Sequence, residues 1–203
     1  MLKKITIKQI KKDIDLLYEI GSLRHVPRGW KQHLQTDVAN DLEHTIRVIY
    51  LALILARYEG IHNDEKIIKM ALVHDLAETR VGDHAYVQKV YVDLFEQKAV
   101  HEILNGTSLT EFEKLIYEFE EQKTKEARIV KDGDNLDIEF ELQELTERGN
   151  RLPAKWSKMR KWVRDNKLYS KSAKKLWDLI LSSDPAKWHI ENNKFTKQNK
   201  KKI

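Results

Sequence analysis

The chain contains no cysteine. That excludes a disulfide framework, a thiol nucleophile and a cysteine-ligated zinc site. Its 203 residues include three prolines and seven glycines, too few for the many tight turns of a sheet-rich fold. No apolar run approaches the roughly 18 residues of a membrane-spanning helix. The basic start, residues 1–9, is not followed by the apolar core of a signal peptide. These absences point to a cytoplasmic protein with no membrane partner. Persistent strand-like alternation and internal repeats are also missing. What is plentiful is charge, 34% of residues, set against 41% hydrophobics. At this length one domain with a substantial core is expected.

The net charge of +5 is unevenly placed. The stretch LysPheThrLysGlnAsnLysLysLysIle at the end is basic and lacks apolar periodicity. A domain over 1–190 and a flexible basic tail over 191–203 are therefore expected. Moderate positive charge favours anionic partners, phosphorylated metabolites included, without identifying one.

Apolar positions recur at helical spacing along most of the chain. The pattern predicts helices over about 5–20, 41–58 with Asp41 as N-cap, 65–80 and 87–104. A loop-rich stretch at 22–40 and a turn at 81–83 separate some of them. Thr107 or Ser108 opens a long helical region reaching about 148, with breaks expected near 122–125 and near Gly133. Helices over about 154–165 and 170–182 follow. The expected fold class is all-α.

Chemistry concentrates in a few polar residues set among apolar ones. His74 and Asp75 interrupt AlaLeuValHisAspLeuAlaGlu at 71–78, where a buried helix would carry only apolar side chains. An unpaired carboxylate in a core is costly, and a cation removes that cost. Glu78 shares their helix face and Asp83 lies just past the expected helix end. Taken alone, this group could equally be a polar helix terminus. His44 sits on an otherwise apolar helix face, and Asp132, Asp134 and Asp137 are flanked by Ile129, Val130, Leu136 and Ile138. Nitrogen and oxygen donors together suit a borderline or hard divalent ion: Mn, Fe, Co, Zn or Mg. There is no Gly-rich phosphate loop.

The ordered set of motifs resembles the HD-domain metal-dependent phosphohydrolases, and within them the 5'-deoxynucleotidase branch. Four stretches carry the likeness: ArgGlyTrp at 28–30, GluHisThr at 43–45, HisAspLeuAlaGlu followed by GlyAsp at 74–83, and ThrLysGluAlaArgIleValLysAspGlyAspAsnLeuAsp at 124–137. It extends over about residues 16–148. The resemblance implies an HD-type helical bundle, with the segment 150–190 as additional C-terminal helices. It implies one divalent ion held by His44, His74, Asp75 and Asp134, the last matching the second aspartate of AspGlyAsp rather than Asp132. It implies proton transfer by Glu78, a substrate-side role for Asp83, and phosphate and sugar contacts from Arg28 and Trp30. Homodimers are common in the family.

The implied reaction is hydrolysis of deoxyribonucleoside 5'-monophosphates to deoxynucleoside and phosphate. Another nucleotide or phosphorylated metabolite is the alternative substrate class. A nucleic-acid-binding or regulatory module using the Lys-rich tail is the alternative of another kind, and nucleic acid is not the expected partner. The chain departs from the family pattern at His84, where a proline often follows GlyAsp, and in the approach to His44. His84 is expected either to face solvent or to add to the pocket. Trp156, Trp162, Trp177 and Trp188 lie beyond the resemblance and are read as helix packing.

Overall fold

A computed structural model describes residues 5–192. Among them there are helices, turns and one isolated bridge between Pro27 and Asn40, and no strand, so the fold is all-α. The helices are α1 (Ile7–Ser22), α2 (Lys31–Leu34), α3 (Asp41–Tyr58), α4 (Asp64–Val73), α5 (Glu78–Val81) and α6 (Tyr86–Lys89). They continue with α7 (Glu96–Leu104), α8 (Glu113–Glu121), α9 (Lys125–Glu147), α10 (Leu152–Lys167), α11 (Lys171–Ile180) and α12 (Lys187–Glu191). No described helix is long and apolar enough to cross a membrane. The tail from residue 193 lies outside the described residues.

Side-chain caps start the major helices. Thr6, Thr124 and Ser170 accept from backbone N–H groups three residues on, opening α1, α9 and α11. The cap of α3 is Asn40 rather than Asp41. Asn40 Oδ1 accepts from Leu42 and Glu43 backbone N–H groups at 3.1 Å, and Glu43 returns a bond to Asn40 N at 3.1 Å. Asp41 is thereby freed from capping and turned, fully buried, toward Arg28.

Helices α3 and α9 cross at the centre of the molecule. Val48, Leu51, Ala52 and Leu55 of α3 meet Ile129, Val130 and Leu136 of α9, with Ile67 and Met70 of α4 closing the side. Each of the buried Val, Leu, Ile and Met side chains contributes roughly 1.5–3 kcal/mol. Gly133 does not break α9. A Cβ there would lie 3.3 Å from both Ala52 N and Val48 O, so the missing side chain is what lets the two backbones approach. A second apolar cluster joins α1, α4, α7 and α8, and a third joins Leu34 to Ile138, Leu142 and Leu145 of α9.

Two predicted helices are interrupted. The segment expected over 65–80 ends as α4 at Val73, turns through 74–77, and resumes as α5. Leu76 N bonds Val73 O at 3.0 Å and Glu78 N bonds Asp75 O at 2.9 Å, a three-residue spacing tighter than α. The segment expected over 87–104 is helical only at α6 and α7. Between them Val90, Tyr91 and Phe95 are exposed and have no core to pay for helical order. The break expected at 122–125 is present, with Gln122 in the left-handed region at φ 51°.

Candidate metal centre and active site

The α3–α9 crossing brings His44 beside Asp134 and Asp137, and the tightened turn after α4 delivers His74 and Asp75 to the same point. His44 Nε2 lies 3.3 Å from His74 Nε2, 3.3 Å from Asp75 Oδ2 and 3.3 Å from Asp134 Oδ1. His74 Nε2 lies 3.2 Å from Asp75 Oδ2. All four expected metal-binding residues therefore converge, and three of them (His44, His74, Asp75) form a group able to hold an ion.

The tautomers follow from the remaining ring nitrogens. His44 Nδ1 donates to Asp137 Oδ2 at 2.7 Å, and His74 Nδ1 donates to the Ala71 carbonyl at 2.8 Å. Carboxylate and carbonyl oxygens only accept, so in neutral rings both Nε2 lone pairs face inward. Two nitrogen lone pairs and two carboxylate oxygens then crowd one space with no proton among them. Donors about 2.0–2.2 Å from a common divalent ion sit roughly 3 Å from one another, which fits the spacings seen. Without a cation a proton must serve instead. Burial and Arg28 oppose a charge on His44, but hydrogen bonds to Asp134, Asp137 and Asp75 outweigh them and raise its pKa well above the ordinary histidine value. Burial lowers the pKa of His74.

Arg28 is buried beside this cluster. Its Nη1 lies 3.2 Å from Asp41 Oδ1, 3.2 Å from Asp75 Oδ2, 3.3 Å from Asp83 Oδ2 and 3.9 Å from Glu78 Oε2. Burial works against its charge, yet Asp83, Asp75 and Glu78 hold it firmly cationic. Burial, then Asp75 and Asp83, push the Glu78 carboxyl far up, so that it retains its proton. Asp83 also accepts from Gly29 N at 2.9 Å and thus pins the loop bearing Arg28. Gly29 tolerates no side chain, since a Cβ would lie 2.6 Å from Ala85 N.

Trp30 is fixed at both ends. Its Nε1 donates to Glu141 Oε2 at 2.7 Å, and the Arg28 guanidinium lies 4.6 Å from its ring centre. A cavity of about 590 Å³ opens here, with Arg28, Asp83, Lys131 and Asp134 at one end and Trp30, Ile138, Trp156 and Met159 among its walls. A smaller, more polar cavity of about 220 Å³ reaches His74, Asp75 and Glu78 and shares Lys89, Gln122 and Lys131 with the larger one. His84 lines the larger cavity while its Nε2 donates to the Val81 carbonyl at 2.9 Å, so it is partly buried rather than turned to solvent. Trp177 is core packing and Trp162 and Trp188 are exposed, whereas Trp156 both packs on the third apolar cluster and lines the cavity.

Several neighbours were given no role at the site by the sequence. Asp137 and Lys131 stand three residues either side of Asp134, one turn away on α9, a spacing that marks them in retrospect. Lys131 Nζ lies 2.7 Å from Asp134 Oδ2. Asp41 and Glu141 carried no such signal. Asp132 points away and accepts from Tyr169 N at 2.7 Å, Ser170 N at 2.8 Å and Ser170 Oγ at 2.6 Å.

A profile of the HD domain matches residues 20–177. The chain belongs to the HD domain family. This HD domain is similar to a Dictyostelium discoideum protein named 5'-deoxynucleotidase HDDC2, at 34% identity over 148 residues, covering 66% of this chain and 78% of that one. It is similar to the Schizosaccharomyces pombe 5'-deoxynucleotidase hdd1 at 31% identity over 142 residues, covering 64% and 71%. A solved structure of a conserved hypothetical protein from Pyrococcus furiosus matches with a TM-score of 0.71 and 24% identity, over 84% of this chain and 99% of that one. A structure from Magnetospirillum magnetotacticum, described as a predicted metal-dependent phosphohydrolase, matches with a TM-score of 0.67 and 22% identity, over 86% and 94%. At those identities the likeness to solved structures shows the fold. The family profile includes all of α10 and most of α11, beyond the stretch in which motifs were visible. Family membership and the His44–His74–Asp75 group together imply a divalent metal.

Proposed function

We propose that the protein hydrolyses deoxyribonucleoside 5'-monophosphates to deoxynucleoside and phosphate, using one divalent ion held by His44, His74, Asp75 and Asp134. One observation carries this reading: four inward-facing lone-pair donors meet a buried arginine beside a large cavity lined by basic and apolar side chains. The names of the relatives supply the substrate class.

When bound, a divalent ion polarises the phosphoryl oxygens and acidifies water. The protein's own residues do the rest. Arg28 offers a forked donor to phosphate oxygens, and its Nε has no hydrogen-bond partner among the described residues. Asp41 and Asp83 hold that guanidinium in place. Water attacks phosphorus as the bond to the 5'-oxygen breaks, and the leaving oxygen needs a proton. Glu78, kept protonated by burial and its acidic neighbours, is suited to give it. Asp137 and the Ala71 carbonyl fix the two imidazoles with Nε2 inward. Trp30 forms a flat wall beside the phosphate end.

Phosphate release from a panel of deoxyribonucleotides, ribonucleotides, triphosphates and cyclic nucleotides, with several divalent ions, tests this. Turnover of deoxynucleoside monophosphates is expected. Metal-loaded protein that releases no phosphate from any of them contradicts the proposal.

A further inference from the structure

We propose that Trp156 of α10, with Met159 one turn on, is the surface on which the nucleobase of the substrate stacks. This rests on the reading that the substrate is a nucleoside monophosphate. The large cavity is lined by Arg28, Lys131 and Asp134 and, toward α10, by Ile138, Trp156 and Met159 with Lys155 and Arg160 beside them. Ile138 follows Asp134 by four residues on α9, so the apolar wall begins about 6 Å along the helix from the phosphoryl end. A phosphate seated beside Arg28 therefore projects its sugar and base toward α10.

Two aromatic side chains could receive that base, and their surroundings separate them. Trp30 has the Arg28 guanidinium 4.6 Å from its ring centre and its Nε1 bonded to Glu141, which commits it to the phosphate end. Trp156 packs against the Leu34–Ile138–Leu142 cluster, is only half-buried, and also lines the cavity. Its helix is firmly held. Arg160, one turn after Trp156, is buried, with Nε donating to Glu139 Oε1 at 2.5 Å and Nη2 to the Asn135 carbonyl at 2.8 Å. A firmly held, half-exposed indole in the wall of a cavity of about 590 Å³ is a stacking platform, and the cavity volume falls in the range of small-ligand sites. Every base has a π-face, so such a platform adds affinity with little choice among bases.

The test compares kcat/KM for deoxynucleoside monophosphates with kcat/KM for 2-deoxyribose 5-phosphate, which has no base, in wild type, Trp156→Ala and Trp156→Phe. The ratio cancels any loss of folded enzyme. The expected result is a fall in the nucleotide-to-sugar-phosphate ratio of roughly five- to hundredfold in Trp156→Ala, carried by KM, with most of it restored by phenylalanine. A ratio unchanged from wild type, or a loss shared equally by both substrates, overturns the proposal. Calorimetric binding of free deoxynucleosides gives a readout independent of turnover. Weakened binding in Trp156→Ala supports the platform even if nucleotides are not hydrolysed, an outcome that would remove only the functional reading. Wild-type affinity in the variant, or no nucleoside binding by wild type, overturns the platform itself.

Discussion

On one side of α9, Asp132 accepts three hydrogen bonds from Tyr169 and Ser170, and Glu139 is paired with Arg160 at 2.5 Å. On the other, Asp134 and Asp137 face His44, and Asp137 Oδ1 lies 3.3 Å from Arg47 Nε. The first group fastens α10 and the start of α11 to α9. Its buried charges have donors enough, so nothing further is needed to hold them. In the second group the Nε2 atoms of neutral His44 and His74 meet Asp75 Oδ2 and Asp134 Oδ1 with no proton among them. Such a cluster is expensive to bury unless a cation or a ligand completes it. The same residue type on the same helix thus serves structure where it is saturated and chemistry where it is not.

Glu78→Ala offers the harshest challenge to that division. Turnover should fall about 10²- to 10⁴-fold while bound metal, measured by elemental analysis, stays at the wild-type level. Retained turnover would take Glu78 out of proton transfer. Asp137→Ala should weaken metal affinity about 10- to 100-fold in a chelator competition, because the His44 ring loses the acceptor that fixes its tautomer. Wild-type affinity there would move Asp137 to the structural side of the comparison. Asp132→Ala should do the reverse. It should cost about 1–3 kcal/mol in denaturant unfolding, by stranding the Tyr169 and Ser170 donors, and leave metal content unchanged.

The smallest effect lies on the surface. Glu19 of α1 accepts from Arg80 Nε at 2.6 Å and Nη2 at 3.0 Å and from Thr79 Oγ1 at 3.1 Å, bracing the helix that carries Glu78. Its hydrogen bonds with Arg80 hold its carboxyl below the usual value of 4.5. A depressed folded-state pKa gives stability that is present above the unfolded value and lost as pH falls through the folded one. Glu19→Gln should therefore cost under about 1 kcal/mol at neutral pH. The gap from wild type should close in acid, as followed by thermal unfolding. A gap constant across pH would mean that charge is not the cause.

The helical class and the long apolar faces were legible because periodicity reports directly on burial, as along α3 and α9. The clustering of His44, His74, Asp75 and Asp134 came from motif order, since separations of 30 to 90 positions along the chain carry no contact information by themselves. What stayed hidden depends on tertiary partners. Asp41 looks like a cap until Asn40 takes that role and Arg28 claims the aspartate. Gly133 looks like a helix breaker until α3 passes within contact of it. The turn at 74–77 reads as helix because Leu76 and Ala77 continue the apolar spacing of α4, and the site geometry overrides it. Trp156 reads as packing, and half of it is.

Metal content of dialysed protein, compared between wild type, Asp75→Asn and Asp132→Asn, tests most directly whether the crowded acceptors exist to hold a cation. One divalent ion per chain is expected in wild type and in Asp132→Asn, and none in Asp75→Asn. A wild-type protein that binds no ion, or an Asp75→Asn variant that keeps its ion as tightly, would contradict the account.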